Sequence, residues 1–249
     1  MILVGISGAI DHGKTTLADY LGAAAPSAAH FESSDIIMEV ANGLRKESAG
    51  PAPDDVAAIQ AWLKILPQVL RVHTRREISF YELQLSRQHF EGAPHNFTRL
   101  LEYLALMQSQ PSLRSDTIDI SNKDIFRPLL VWLGGYLAKT VSGRLWFNEI
   151  VRRAGDLNVE LVTAGGVRFP DDAACLQDAG GIILNIQRPD NAIQDLQDIT
   201  ESERELINPN VTVINDGSLV DLQVLANAIY QDLVAGELHS VYQASTLAV

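Results

Sequence analysis

Cysteine is nearly absent: Cys175 is the single one in 249 residues. That excludes an intramolecular disulfide and fits a reducing compartment. The residue itself reads as a small buried helix side chain rather than a nucleophile. Basic residues are also scarce, 19 Lys and Arg against 31 Asp and Glu, for a formal net charge of -12. This balance argues against a broad footprint on nucleic acid or on an anionic membrane. A local phosphate pocket needs only a few Arg and Lys and is still open to the chain. Long apolar runs are lacking too. The longest, Leu129 to Ala138, is too short to span a bilayer, so no membrane is expected as a partner. No basic segment with a cleavage site precedes the first apolar run, so a cytoplasmic location is expected, in a cell or in a virus-infected one. Internal repeats and low-complexity tracts are missing as well. What remains is a chain with 47% hydrophobic residues, enough for a substantial core in one large domain or one domain with an insertion.

Against that background one stretch stands out: Gly8-Ala9-Ile10-Asp11-His12-Gly13-Lys14-Thr15, a complete Walker A pattern. Its context gives it weight. Met1 to Ile6 is a short apolar run suited to a buried parallel strand, and Thr16 to Leu21 reads as the first turns of a helix. In a strand–loop–helix setting the glycines let backbone N–H groups surround phosphate oxygens, and the helix N-terminus adds partial positive charge. Lys14 is then expected on the β- and γ-phosphates of ATP, and the Thr15 hydroxyl on Mg²⁺. His12 is placed at the rim of this loop.

Further strands are expected at Ala28–Glu32, Val159–Thr163, Gly181–Ile186 and Val211–Asn215. Helices are expected at Asp171–Ala179 and at Ser218–Leu233, the latter capped by Ser218. Strand and helix alternate, so the fold class is α/β: a P-loop three-layer sandwich with a five-stranded parallel sheet. From about Asp35 to Val151 the alternation breaks. Helices are expected there over Asp35–Lys46, Asp54–Val72, Glu77–Phe90, Phe97–Gln108 and Ile125–Val141. The whole chain, 1–249, is thus read as one domain with a helical insertion over about 48–124. That insertion serves as a dimer surface or a cap over the substrate. The tail after about Gly236 reads as polar and frayed.

A phosphate loop alone does not choose among GTPases, motors and kinases. The run from Asp11 to Leu17 looks like that of translational GTPases, but its companions are missing. Asn122-Lys123-Asp124 lacks the spacer of a guanine-reading motif, and Asp178-Ala179-Gly180-Gly181 falls between a helix and a strand rather than after one.

The second half supplies more. Arg127 through Leu137 carries Leu129, Leu133 and Gly134; Arg144 and Trp146 follow. Val167-Arg168-Phe169-Pro170-Asp171-Asp172-Ala173 forms a turn after the third strand. Arg188-Pro189, Ile199-Thr200-Glu201 and Ile214-Asn215-Asp216-Gly217-Ser218-Leu219 come next. In order and spacing these pieces resemble the phage-type deoxynucleoside monophosphate kinases. The resemblance covers Ile125 to about Leu233 and returns at the P-loop.

It implies transfer of the γ-phosphoryl group of ATP to a (deoxy)nucleoside monophosphate, a small-molecule partner, with Mg²⁺ as cofactor. Two polyanions held in line need several converging cations, and Arg suits the task through its planar fork of donors. Arg168, just past the carboxyl end of a strand, is the first candidate for the acceptor phosphate. Arg127 and Arg144 bracket a helix similar to the family's acceptor site. Arg188 would begin a lid, with Arg204 behind it. The resemblance further implies that Asn215, Asp216 and Gly217 hold the donor base, next to the donor-binding loop of Gly8, Ala9, Ile10, Asp11, His12, Gly13, Lys14, Thr15 and Thr16. It gives Gly134 and Trp146 the acceptor base. Asp35, after the second strand, is read first as a helix cap and second as a contact to Mg²⁺-bound water or the acceptor.

The chain departs from the family around the acceptor. Gly166, beside Gly165, stands where the family has an Asp before the Val-Arg turn. Gly135 and Tyr136 replace Thr and Asp, Ile37 stands near a family Lys, and Thr15 replaces an Asp. The two glycines are read as room for a larger substrate. Other acceptors therefore stay open: a modified nucleotide, a modified DNA base or a non-nucleotide. So does nucleotide binding without transfer.

Overall fold

The computed structural model describes residues 1–189 and 203–246. The chain divides into two compact units, one of Met1–Ser33 with Phe147–Val249 and one of Ser34–Trp146.

The first unit is built on one sheet. Its strands are β1 (Ile2–Ser7), β2 (Ala28–Glu32), β3 (Leu161–Gly165), β4 (Ile182–Gln187), β5 (Val211–Ile214) and β6 (Val241–Gln243). They lie in the order β2-β3-β1-β4-β5-β6, every neighbouring pair parallel. Among the described residues the sheet therefore has six strands, not the five expected. The extra strand comes from the tail read as frayed. It is three residues long, with only the middle one, Tyr242, buried, too short for an alternation to stand out in a sequence. Parallel strands buried on both faces read as continuous apolar runs, and β1 is buried from Leu3 to Ser7.

Helices cover both faces. On one, Leu17 and Leu21 of α1 (Lys14–Ala24) and Leu222, Leu225 and Ile229 of α10 (Leu219–Ala235) pack on Val4, Ile6, Leu184 and Val213. Fully burying one such side chain contributes about 1.5–3 kcal/mol. On the other face, Gly5 lies against Leu176 of α9 (Pro170–Asp178), so close that a Cβ there would overlap it. Ser218 caps α10 by accepting from the Asp221 N–H while Asp221 accepts from the Ser218 N–H at 2.7 Å. All strands end at one edge, where open α/β sheets bind ligands.

The second unit is helical, with α2 (Ser33–Arg45), α3 (Val56–Leu63), α4 (Leu66–Thr74), α5 (Arg87–Gly92), α6 (Thr98–Ser109), α7 (Arg127–Thr140) and the start of α8 (Leu145–Gly155). Two expectations fail here. The helix read over Asp54–Val72 is two helices, broken at Lys64-Ile65 just before Pro67 opens α4. The helix read over Glu77–Phe90 is mostly turns, and only Arg87–Gly92 is helical. Arg75 and Gln84 both adopt the left-handed region, at φ 53° and 51°, and Ser79 and Glu82 close a turn on each other's backbone N–H. Local side-chain bonds of this kind compete with a helix ladder.

Arg45 is buried in this unit. It donates to the Tyr103 hydroxyl at 2.9 Å and to the carbonyls of Asp116 and Leu113 at 2.7 and 2.8 Å, with its guanidinium 4.4 Å over the Phe126 ring. Among the described residues no helix is long and apolar enough to cross a membrane.

Candidate functional site

The loop from Gly8 to Gly13 joins the end of β1 to the start of α1. Its two outer glycines are sterically required. A Cβ on Gly8 would stand 2.6 Å from the Ile186 carbonyl oxygen. Gly13 adopts φ 98° in the left-handed region, and a Cβ there would meet the Asn215 amide nitrogen at 2.9 Å. Asp11 also has positive φ, 63°, which Asp tolerates better than most residues. No acidic residue occupies the first turn of α1, the position from which a carboxylate best offsets the partial positive charge at the N-terminus. Lys14 Nζ reaches back and donates to the Ala9 carbonyl at 2.6 Å. Ile10 and Asp11 are exposed at the crest, Thr15 is exposed on the first turn and Thr16 is half-buried.

His12 is not at the rim. It is 7% exposed and sits against the ends of β4 and β5. Its Nδ1 lies 3.3 Å from both the Ile186 carbonyl oxygen and the Arg188 N–H nitrogen. The atom can accept from Arg188 or, protonated, donate to Ile186; the tautomer decides. The His12 carbonyl accepts from Asn215 Nδ2 at 3.0 Å, and the Asn215 N–H is held by Gln187 at 2.7 Å.

The rest of the turn after β5 faces elsewhere. Asp216 accepts from Gln243 Nε2 at 2.6 Å and from Ser245, partners that hold its carboxyl below the usual range. Asn215 is thus brought to the loop, whereas Asp216 is engaged by the C-terminal segment. Gly217 lies against Asp221, where a Cβ would stand 2.8 Å away.

Arg168 and Arg188 are both exposed, just past the ends of β3 and β4 in the first unit. The Arg168 turn is fixed by Asp172, which accepts from the Arg168 and Phe169 N–H groups at 3.1 and 3.0 Å. Burial pushes the Asp172 carboxyl up to about 7 against those two bonds. Arg204 is half-buried, and Ile199-Thr200-Glu201 lies outside the described residues.

The remaining candidates belong to the helical unit. Arg127 is exposed at the start of α7, and Arg144 is half-buried between α7 and α8. Trp146 is buried and donates its indole N–H to the Gly134 carbonyl at 3.2 Å, which brings these two together. Asp35 does not precede α2 as a cap. It lies within the first turn, where a carboxylate favours the helix dipole.

The space over Gly165 and Gly166 is not open. A Cβ on Gly165 would collide with the Glu32 carboxylate, and one on Gly166 with the Ser33 hydroxyl. Glu32 is paired in register with Gly165, and its Oε1 lies 3.2 Å from His30 Nε2. His30 Nδ1 in turn lies 2.8 Å from the Thr163 hydroxyl. The sequence reading passed over these three residues. Their trace was there: polar side chains at alternate strand positions, His30 and Glu32 on β2 and Thr163 on β3, facing the same way as core residues.

Among the described residues no three or more His, Cys, Asp or Glu side chains are placed together to hold a metal ion. Compared with known proteins, the chain matches no family model and no curated protein sequence.

Proposed function

We propose that this chain is a P-loop phosphotransferase of the nucleoside monophosphate kinase type, moving the γ-phosphoryl group of ATP to a (deoxy)nucleoside monophosphate. The loop from Gly8 to Gly13 carries the reading. Its ends are pinned where only glycine fits, its lysine folds over it, and a helix whose first turn carries no acidic residue begins behind it. Such a cradle suits a chain of phosphates. The parallel sheet with helices on both faces supports a P-loop sandwich.

Magnesium is normally held by substrate phosphates with one or two protein oxygens, so it needs no three-ligand cluster. The exposed Thr15 hydroxyl fits this demand. Bound there, the ion would shield the β- and γ-phosphate charge. In the reaction an oxygen of the acceptor phosphate attacks the γ-phosphorus. The bond from γ-phosphorus to the bridging oxygen breaks, and ADP leaves with the electron pair. Lys14 neutralises charge on the β- and γ-phosphates, Arg168 holds the acceptor phosphate, and Arg188 covers the donor side. Asn215 fixes the loop, and Gly217 follows in the turn proposed to meet the donor base. Arg127, Arg144, Gly134, Trp146 and Asp35 are proposed acceptor-binding residues on the resemblance alone.

Incubation of γ-labelled ATP with a panel of ribo- and deoxynucleoside monophosphates tests the reading. Label in at least one diphosphate product is expected. ATP binding with no transfer to any panel member contradicts the acceptor assignment. A labelled product from modified nucleotides or DNA then identifies another acceptor.

A further inference from the structure

The Glu32 carboxylate is built into the carboxyl edge of the sheet more firmly than a surface glutamate requires. Oε1 lies 3.2 Å from His30, and His30 lies 2.8 Å from the Thr163 hydroxyl, whose residue is buried. The neighbouring strand ends in Gly165, where any side chain would displace the carboxylate. Holding a long charged side chain in one rotamer is entropically unfavourable, so a chain of three groups that does so calls for a reason.

The register gives its place. His30 pairs with Thr163, Thr163 with Val4, and Glu32 with Gly165. Alternate residues share a face, so Glu32 projects on the face of Val4 and Ile6, the face that α1 covers. The first turn of α1 carries Lys14 and Thr15 at this same edge. Two strand spacings, ~10 Å, separate β2 from β1, a gap that a cation with its water shell can bridge.

Charge decides what the carboxylate does. A carboxylate facing two phosphate chains repels both unless a cation lies between them. Magnesium takes oxygen ligands, dehydrates reluctantly and keeps several waters. Resting on the nucleotide-binding reading above, we propose that Glu32 accepts hydrogen bonds from the waters of the magnesium–nucleotide complex. Thr15 supplies the direct protein ligand, and His30 with Thr163 positions the carboxylate. Glu32 is a positioning residue delivered from β2, and the glycines of β3 make room for it.

The test is equilibrium binding of a fluorescent ATP analogue to the full chain, titrated with Mg²⁺ and repeated in excess chelator. Outer ligands of a metal typically change its affinity by about 10–100-fold. Glu32→Gln is therefore expected to raise the Mg²⁺ concentration for half-effect by about tenfold or more, with metal-free affinity unchanged. Gly165→Ala should show the same defect with Glu32 intact, because its methyl group displaces the carboxylate. Glu32→Ala with Gly165→Asp, which moves the carboxylate to the adjacent strand, should recover part of the loss. Thermal melting of each variant identifies any that do not fold, and Glu32→Gln, which keeps size and shape, then decides alone. An unchanged Mg²⁺ requirement in Glu32→Gln overturns the proposal, as does an equal loss with and without Mg²⁺, which marks a structural role. Wild-type protein that binds no nucleotide at all overturns the nucleotide reading as well.

Discussion

Asn215 donates its side-chain amide to the carbonyl oxygen of His12 at 3.0 Å, across 203 residues of chain. This bond ties the turn after β5 to the loop between β1 and α1. Both residues are buried, at 5% and 7% exposure, so the loop is shaped by its neighbours and not by its glycines alone. The Arg188 N–H at the end of β4 meets the same histidine. The loop, the β5 turn and the β4 exit thus share one joint.

Asn215→Ala leaves the His12 carbonyl buried without its donor. A buried polar group left unsatisfied costs about 1–3 kcal/mol. We expect a loss of stability in that range, measured by urea denaturation, together with weaker nucleotide binding. Unchanged nucleotide affinity in a folded variant would separate the joint from the site.

Lys14→Ala removes the cation that folds over the loop. Hydrogen bonds to charged groups contribute about 1.5–3 kcal/mol, so affinity for magnesium–ATP should fall by about tenfold or more. The melting temperature without nucleotide should fall as well, since the bond to the Ala9 carbonyl is lost. Calorimetric titration checks both statements.

Asp172 makes stability depend on pH. Its carboxyl is pushed up to about 7 from 3.8. The folded chain therefore holds this proton more tightly than the unfolded chain. The stability so gained is complete below about pH 4 and is lost as pH rises toward 7. Asp172→Asn keeps an acceptor for the Arg168 and Phe169 N–H groups and removes the buried charge. Relative to wild type, the variant should gain stability as pH rises from about 4 to about 7. A difference between the two proteins that stays constant across that window would contradict the assignment.

Arg45→Met tests the helical unit. It leaves the Leu113 and Asp116 carbonyls and the Tyr103 hydroxyl without their donor. Destabilisation of about 1–3 kcal/mol or more is expected, read by urea denaturation, and unchanged stability counts against it.

Much of the first unit was legible in the sequence because its signals are local. The apolar run of β1, the glycine loop and the Ser218 cap each follow from residues within one turn of the chain. What escaped depends on distant partners. His12 looked like a rim residue because the strand ends that bury it, at Ile186 and Asn215, lie 174 and 203 residues away. Gly165 and Gly166 looked like vacant space, since the Glu32 and Ser33 side chains that fill it come from another strand and from the first residue of the helix after it. The sixth strand was hidden by its length of three residues. In the helical unit the pattern over Glu77–Phe90 was amphipathic enough for a helix, but the Ser79 and Glu82 side chains take backbone N–H groups there.

The proposal that the loop from Gly8 to Gly13 holds a triphosphate is central, and a crystal structure with magnesium and a non-hydrolysable ATP analogue tests it most directly. The triphosphate is expected to curl inside Gly8–Thr15, with Lys14 moved from the Ala9 carbonyl onto the β- and γ-phosphates. A nucleotide bound elsewhere, with Lys14 still on Ala9, would contradict it.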